Sequence, residues 1–212
     1  MNKTNNKTNI LAKIFIEVID LVSFFIMALG IVFFIRLFIF SPFTVVWQSM
    51  EPTIHDWDFL IVDKLSSLND KIWWKNKVWS ILPVLDRGDI IVFIPPQQTE
   101  EWKHLVKRIV WLPWDTVKIQ DNKVDICPSG TGCYLLDEPY LKKWETTSAD
   151  RGLDTFVISG WYFVMWDNRN HSTDSRSCFM WVWCYEWYSY TVPYSDVIWK
   201  VRVRLSPDYT KF

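Results

Sequence analysis

Residues 104–121 read HLVKRIVWLPWDTVKIQD, and this stretch decides the fold class. Two runs rich in β-branched residues, 104–110 and 116–121, lie on either side of a Pro- and Asp-containing segment typical of a turn between strands. Four more short runs of the same kind occur at 59–65, 89–94, 155–158 and 162–165. Short strands separated by Pro, Gly, Asp and Asn predict a mainly β fold made of antiparallel sheets. The more polar, turn-rich segment 120–155 is predicted to form a small insertion or subdomain.

Composition and charge limit the classes of protein to which the chain can belong. Its 212 residues allow one domain with a small insertion, and 50% of them are hydrophobic, which suffices for a packed core. The 23 basic and 24 acidic side chains nearly cancel, and the sequence has no basic stripe or tail that would neutralise phosphates. We therefore expect no nucleic-acid partner.

The segment 14–40, IFIEVIDLVSFFIMALGIVFFIRLFIF, is predicted to be a retained transmembrane anchor. Its charge-free part, 21–35, has only 15 residues, but extending it to residue 40 gives 20 residues with one charge, Arg36. A long arginine stem near the end of a span can snorkel to the interface. A cleaved signal peptide is the alternative, but the run ends in bulky residues rather than in a small-x-small cleavage site.

The charges that flank this segment predict its orientation. Residues 1–13 carry three lysines and no acid, and no basic residue follows the span closely. By the positive-inside rule, the N-terminus lies in the cytoplasm. Residues 41–212 are then expected to form a β-rich extracytoplasmic domain.

Four cysteines occur in two pairs, Cys127 with Cys133 and Cys178 with Cys184, each pair six residues apart. Four cysteines allow three pairings, and an oxidising compartment makes two local bridges the simplest arrangement. A zinc site is disfavoured because the CxxC spacing of structural sites is absent. Free thiols remain an alternative.

Three patches concentrate reactive side chains: SMEPT (49–53), LVKRIV (105–110) and DNRNHSTDSR (167–176). A serine nucleophile such as Ser49 needs a base that removes its proton. The histidines His55, His104 and His171 would suit a Ser-His-Asp triad, but none lies in a local signature of that class. The residues around Ser49 also lack the G-x-S-x-G elbow.

Lys107 is the better candidate for the base. It lies in an otherwise apolar strand, with Leu105 and Ile109 on the same face at i±2. Burial can lower the pKa of a lysine by 3–5 units, which makes the neutral amine available near neutral pH. A lysine that snorkels from an edge strand is the alternative. Arg108, on the opposite face, is expected to stay exposed or to pair with an acid.

Four motifs follow the predicted anchor in a fixed order, and together they resemble bacterial type I signal peptidase. This family consists of membrane-anchored Ser/Lys proteases that remove signal peptides from exported proteins. The resemblance covers about residues 36–118 and 160–203. The motifs are SMEPT (49–53), RGDIIVF (87–93), KRIVWLPWD (107–115) and YFVMWDNRNHSTDSR (162–176).

The resemblance implies a role for each residue that matches a family motif. Ser49 corresponds to the nucleophile and Lys107 to the general base. Ser172 corresponds to a serine that orients the lysine. Asp174 and Arg176 correspond to a structural acid–base pair, and Asp167 corresponds to an acid that pairs with Arg108.

The resemblance also implies how the substrate is held. Met50, Leu105 and Val106 are expected to line a shallow pocket for the small side chain before the cleaved bond. The main-chain amide of Ser49 is expected to be one oxyanion donor. Many family members supply the second donor from a hydroxyl two residues earlier, where this chain has Trp47.

The expected partners are preproteins that carry signal peptides, the lipid bilayer and, by proximity, the Sec translocon. No metal or cofactor is implied. One alternative is a catalytically inactive, membrane-anchored homologue that binds peptides. A related self-cleaving Ser/Lys regulator is disfavoured, because such proteins usually carry a DNA-binding domain and this chain carries an anchor.

Tryptophan is unusually common and glycine unusually rare, with 15 and 6 residues respectively. Tryptophan stands where the resembling family has glycine at Trp57, Trp111, Trp114, Trp166 and Trp199. Because tryptophan tolerates neither positive φ nor close backbone approach, we hypothesise that the source organism reads UGA as glycine. A membrane-surface belt of tryptophans is the alternative, but it does not explain their glycine positions. Trp166 is expected to overpack the loop that follows it.

Overall fold

The structure is a computed structural model. It describes residues 3–46, 48–66, 85–95, 104–149, 154–158, 160–170, 174–180, 190–205 and 210–211. The chain divides into two units, Met1–Phe40 and Ser41–Phe212.

The N-terminal unit is one long helix, α1 (Lys3–Phe38). Its part Ala12–Phe38 has 27 residues and is long and apolar enough to cross a membrane. At about 1.5 Å per residue this part is about 40 Å long, more than the roughly 30 Å of a hydrocarbon core. Its apolar side chains are exposed on all sides, as expected of a helix whose surroundings are lipid.

In the described residues, eleven strands follow the helix. They are β1 (Phe40–Thr44), β2 (Phe59–Asp63), β3 (Ile90–Phe93), β4 (Leu105–Trp111), β5 (Thr116–Gln120), β6 (Lys123–Cys127), β7 (Tyr134–Leu135), β8 (Thr155–Val157), β9 (Phe163–Met165), β10 (Val197–Arg204) and β11 (Thr210–Lys211). A 3-10 segment, Ser175–Met180, lies between β9 and β10.

The larger sheet has seven strands in the order β1-β2-β10-β3-β4-β9, with β11 beside β10. The pairs β2–β10, β10–β3, β3–β4 and β4–β9 are antiparallel, which confirms the predicted fold class. Strand β4 lies inside this sheet, and six of its seven residues are buried. The middle of β4 is therefore shielded from water on both faces.

The smaller sheet has four strands in the order β7-β6-β5-β8, and the predicted insertion at 120–155 falls in it. A two-residue turn, Asp121-Asn122, joins β5 to β6 with φ values of 51° and 60°, as in type I′ hairpins. A disulfide joins Cys127 to Cys133, and it is one of the two local bridges that the sequence predicted. Cys178 is also disulfide-bonded, whereas Cys184 lies outside the described residues.

Each of the six predicted β runs contains a strand: β2, β3, β4, β5, β8 and β9. The central strand β10 and the strand β6 were not predicted. In both, apolar residues alternate with charged ones, as they also do in the predicted run 116–121.

Three four-residue turns share one hydrogen-bond arrangement: 55–58 (HDWD), 86–89 (DRGD) and 112–115 (LPWD). In each turn the main-chain N–H of the final Asp donates to the carbonyl of the first residue, at 3.2, 3.2 and 3.4 Å. The Asp carboxylate in turn accepts from the N–H of that first residue, at 2.7, 2.8 and 3.3 Å. The third residues, Trp57, Gly88 and Trp114, have φ values of 67°, 90° and 76°. These are type II turns, whose third position favours glycine.

We expect Trp57→Gly and Trp114→Gly each to raise the free energy of unfolding by about 1 kcal/mol, because left-handed backbone costs a side-chain-bearing residue about 1–2 kcal/mol. Both indoles are about two-thirds exposed, at 67% and 68%, so their removal loses little packing. Denaturant titration of the full chain in detergent measures the change. Trp144→Gly is the matched control, because Trp144 is 75% exposed and is not among the residues with positive φ. Trp144→Gly should lower the free energy of unfolding. Equal changes in this free energy at positions 57, 114 and 144 would contradict the prediction.

Candidate active site

Ser49 lies in a turn that packs against the core. The N–H of Glu51 donates to the carbonyl of Gln48 at 3.3 Å, and Ser49 is half-buried. The next residue, Met50, is fully buried and packs in a hydrophobic cluster that includes Val106 of β4. The packing of Met50 in the core thus fixes the position of the turn, and Ser49 stays partly exposed.

The loop after β9 is attached to this turn by two hydrogen bonds. The main-chain N–H of Asn168 donates to the carbonyl of Ser49 at 3.2 Å, and its side-chain amide donates to the carbonyl of Gln48 at 3.3 Å. The predicted nucleophile and the DNR segment that starts at Asp167 are therefore neighbours, although they are over 100 residues apart in sequence.

Lys107 occupies the centre of β4, opposite Ile91 of β3, and is only 1% exposed. Burial lowers the pKa of its amine well below the usual lysine range, and the Asp174 carboxylate raises that pKa in part. Since β4 lies between β3 and β9, Lys107 is not a snorkelling residue on an edge strand. Its environment favours a neutral amine.

The Lys107 amine lies against the face of the Trp166 indole, 3.9 Å from the ring centroid, and donates to the carbonyl of Val106 at 3.0 Å. Within the described ranges, no hydrogen bond joins this amine to the Ser49 hydroxyl. The Trp166 indole N–H is buried without a hydrogen-bond partner there. A cation–π contact favours the ammonium over the neutral amine, so Trp166 opposes the effect of burial.

Arg108 and Asp167 form a two-point ion pair, with Nε to Oδ1 at 2.8 Å and Nη2 to Oδ2 at 2.6 Å. Asp167 is fully buried, and its carboxylate also accepts a hydrogen bond from the Thr53 hydroxyl at 2.5 Å. Arg108 therefore pairs with an acid rather than staying exposed. Thr53, which the sequence reasoning did not single out, connects this pair to the segment that carries Ser49.

Asp174 and Arg176 form the second expected pair. The Arg176 guanidinium donates to both carboxylate oxygens of Asp174, at 3.0 and 2.9 Å. Asp174 also accepts from the main-chain N–H of Trp166 at 3.3 Å. Ser172, the serine expected to orient the lysine, lies outside the described residues, as does Trp47 at the position of the second oxyanion donor.

The residues expected to line the substrate pocket do not all lie together in the structure. Met50 and Val106 share one hydrophobic cluster, whereas Leu105 packs against a different one. Leu105 and Val106 are neighbours in β4, so their side chains point to opposite faces of the strand. The structure therefore brings together Met50 and Val106 but not Leu105.

The described histidines do not lie in a triad with Ser49. His55 contacts Asp58 at 3.7 Å, and His104 packs against the rings of Phe43 and Trp199. His171 lies outside the described residues. In the described part of the chain, neither histidine hydrogen-bonds the serine.

A network around Arg169 was missed by the sequence reasoning. This guanidinium is buried, forms an ion pair with Glu138, and donates to the Thr147 hydroxyl at 2.8 Å and to the carbonyl of Trp166 at 2.7 Å. Burial and the Glu138 charge raise the pKa of Tyr140, which therefore stays protonated and donates to Glu138 at 2.8 Å. The polar segment 138–148 thus holds the loop that carries Trp166.

The same segment contacts two more buried arginines, Arg108 and Arg176. The Tyr140 ring lies 3.9 Å from the Arg108 guanidinium, and the Ser148 carbonyl accepts from Arg176 at 3.2 Å. The sequence around 138–148 has no recognisable motif, so only long-range contacts identify it. Its position next to the loop indicates a structural role in the site.

We expect Glu138→Ala to lower the free energy of unfolding by about 3–5 kcal/mol, because it leaves the buried Arg169 charge without its partner. Thermal or denaturant unfolding of the full chain measures this change. Glu145→Ala is the matched control on the same segment, where the carboxylate accepts a more exposed hydrogen bond from Asn170 N–H at 2.9 Å. Loss of this hydrogen bond in Glu145→Ala should lower the free energy of unfolding by about 1 kcal/mol. Equal losses in the two variants would show that the Arg169 pair is not important for stability.

Comparison with known proteins identifies the family. The family profile described as "Signal peptidase, peptidase S26" matches residues 18–205. Signal peptidase I U of Bacillus subtilis is 32% identical over 158 residues, which cover 72% of this chain and 73% of that protein. Signal peptidase I of Rickettsia typhi is also 32% identical, over 83% of this chain and 77% of that protein. A signal peptidase I of known structure from Enterococcus faecalis is 29% identical, covers 53% of this chain and 92% of that chain, and has a TM-score of 0.35.

The profile match spans most of the chain, and the relatives share about a third of their residues with it over most of their own length. The chain therefore belongs to the signal peptidase family, peptidase S26, and is a serine peptidase of the signal peptidase I type.

Proposed function

We propose that the chain is a membrane-anchored signal peptidase in which Ser49 is the nucleophile and Lys107 is the general base. The observation that carries the proposal is the fully buried Lys107 amine, whose pKa is lowered by burial on an interior strand. The loop that touches this amine through Trp166 also hydrogen-bonds to the Ser49 turn through Asn168. A base and a hydroxyl are thus held in neighbouring segments.

The chemistry follows from the two groups. Neutral Lys107 accepts the proton of the Ser49 hydroxyl as the serine oxygen bonds to the carbonyl carbon of the substrate. The main-chain N–H of Ser49 donates to the oxyanion that forms. When the intermediate collapses, the peptide C–N bond breaks and the leaving amine takes the proton from Lys107. Water then attacks the acyl-enzyme, with Lys107 again accepting a proton. The bond between the serine oxygen and the acyl carbon breaks, Lys107 returns the proton to the Ser49 oxygen, and the new carboxylate is released.

The supporting residues have positioning roles in this proposal. The Arg108–Asp167 pair and Thr53 hold β4, the Ser49 segment and the loop after β9 at fixed distances. Asp174 lies close enough to Lys107 to act on its charge. The orienting role of Ser172 rests on the family resemblance alone.

The substrates are preproteins that carry signal peptides, in line with the family. A small residue before the cleaved bond would fit a shallow pocket beside Met50 and Val106, which pack together. An extended substrate segment can bind by adding a strand beside the site. Close to the Sec translocon, such segments would reach the enzyme as they emerge.

The helix α1 supports the anchoring part of the proposal. We expect the N-terminus to be cytoplasmic and residues 41–212 to be extracytoplasmic, because Lys3, Lys7 and Lys13 precede the span. Protease added to intact spheroplasts should digest the large unit. Protection of that unit, with digestion only after lysis, would contradict this orientation.

Rescue of a conditional signal-peptidase strain tests the function. The variant to use is the full chain with Trp57→Gly, Trp114→Gly and Trp166→Gly, referred to below as the triple-glycine variant. It should restore growth and preprotein processing, whereas the same variant with Ser49→Ala should not. Failure of a folded, membrane-inserted triple-glycine variant to process preproteins would contradict the assigned function.

One observation favours a second candidate, a homologue that binds peptides without cleaving them. With tryptophan at 166, the Lys107 amine is hydrogen-bonded to Val106 and covered by the indole. The two candidates differ in a binding assay with a fluorescent signal peptide. A triple-glycine variant that binds the peptide and leaves it intact would support the binding function over the proteolytic one.

A further inference from the structure

The type II turn that contains Gly88 and Asp89 has glycine at its third position, so the two turns that have tryptophan there can be compared with it. The N–H of Gly88 donates to the carbonyl of Ile109 at 2.7 Å, and the carbonyl of Asp89 accepts from the N–H of Ile109 at 2.8 Å. These two bonds join the turn to β4 on both sides of the Gly-Asp dipeptide. Gly88 adopts its φ of 90° without a Cβ penalty.

The two Trp-Asp turns repeat this arrangement. The Trp57 N–H and the Asp58 carbonyl both bond to Val45, each at 3.0 Å. The Trp114 N–H and the Asp115 carbonyl both bond to Ile158, at 2.8 and 3.0 Å. Since each turn is held by a pair of main-chain bonds, its third residue cannot leave the left-handed region without breaking them. The backbone therefore demands glycine at 57 and 114 as it does at 88.

The tryptophan side chains do not compensate for this conformation. The indoles of Trp57 and Trp114 are mostly exposed to water, so they contribute little burial. A membrane-surface belt explains an exposed indole, but it does not explain why two indoles stand at the glycine position of a type II turn.

The third Trp-Asp dipeptide of the chain, Trp166-Asp167, lies in the candidate active site. There the indole lies against the Lys107 amine, and among the described residues its buried N–H has no hydrogen-bond partner. A buried N–H without an acceptor is unfavourable, and glycine at this position would remove both the unpaired donor and the ring. Trp-Asp is thus unfavourable at each of its three occurrences, for two independent physical reasons.

We infer that the natural protein carries glycine at positions 57, 114 and 166, because its organism reads UGA codons as glycine. Glycine at these three positions would change the chain from 15 tryptophans and 6 glycines to 12 and 9, which reduces the excess of tryptophan. The consequence for the site is that the natural Lys107 amine is not covered by an indole. This inference does not depend on the catalytic roles proposed for Ser49 and Lys107.

Tryptic peptides of the protein from its source organism test the inference directly. The peptide 109–118, IVWLPWDTVK, contains Trp114, and the peptide 152–169 contains Trp166. Each glycine in place of tryptophan lowers the peptide mass by about 129 Da, the difference between an indole side chain and a hydrogen atom. Fragment ions assign the change to a position, and the codons of the gene identify its origin.

We expect fragment masses of glycine at 114 and 166, together with UGA in the gene at both. The peptide 124–142 contains no tryptophan and, after its Cys127–Cys133 disulfide is reduced, should have the mass given by the printed sequence in either case, which makes it the control. Tryptophan masses at 114 and 166 would overturn the inference, whatever the codon. Because the masses do not depend on activity, a failure here is distinct from a failure of the proposed catalytic roles.

Discussion

Restoring glycine at 166 is expected to raise the rate of preprotein cleavage by at least about 100-fold, since misplacing a catalytic group by about 1 Å can cost that much. The indole at 166 covers the Lys107 amine and stabilises its charged form, while the amine donates to Val106. We expect that removing the ring frees this amine to approach the Ser49 hydroxyl. The fitting measurement is kcat/KM on a purified preprotein in detergent micelles.

The comparison requires two chains that differ only at 166. These are the triple-glycine variant and the variant that carries Trp57→Gly and Trp114→Gly alone. Both have relaxed type II turns, so a difference in rate reports on the site rather than on stability. Equal rates would mean that Trp166 does not obstruct Lys107, which would contradict this part of the mechanism.

Loss of either member of the proposed dyad is expected to lower kcat by about 10⁴-fold or more. Ser49→Ala removes the group that forms the acyl-enzyme, and Lys107→Met removes the base while nearly preserving the buried volume. Both changes are made in the triple-glycine variant and measured as single-turnover cleavage. Because the two groups act as a unit, the double variant should be no slower than the slower single one.

Two controls separate a catalytic loss from a folding defect. Methionine at 107 carries no charge or polar group, so Lys107→Met should not lower the free energy of unfolding. Lys118→Met changes a lysine of β5, in the smaller sheet, and should leave cleavage unchanged. Substantial activity in folded Lys107→Met would show that another group acts as base.

The part of the site that the sequence predicted best is the strand that carries Lys107. Its apolar neighbours on the same face predicted burial, and the structure places β4 inside the sheet. The acid–arginine pairs were predicted from motif resemblance, and both are present. The burial of a residue can be predicted when its sequence neighbours form a strong local pattern, because that pattern indicates which side chains of the strand face the core.

What escaped prediction depends on contacts between distant segments. Arg169 pairs with Glu138, 31 residues earlier, and the segment around Glu138 carries no motif, so no local signal could pair them. The separation of Leu105 from Met50 follows from the pleat of β4, which the family resemblance does not take into account. The left-handed backbone of Trp57 and Trp114 depends on bonds to Val45 and Ile158, which the sequence alone does not place.

The titration of the Lys107 amine tests the central claim most directly. Nitrogen NMR of the lysine-labelled triple-glycine variant in micelles follows this amine, and the Lys107→Met spectrum assigns its signal. With Trp166 present, burial lowers the pKa of this amine well below the ordinary lysine value of 10.5. We expect the pKa to stay below that value in the triple-glycine variant, because β4 remains an interior strand. The value of kcat/KM should then fall with the same midpoint as the pH is lowered, because only the neutral amine accepts a proton. An amine that titrates at the ordinary lysine value, or a rate that does not follow it, would contradict Lys107 as the base.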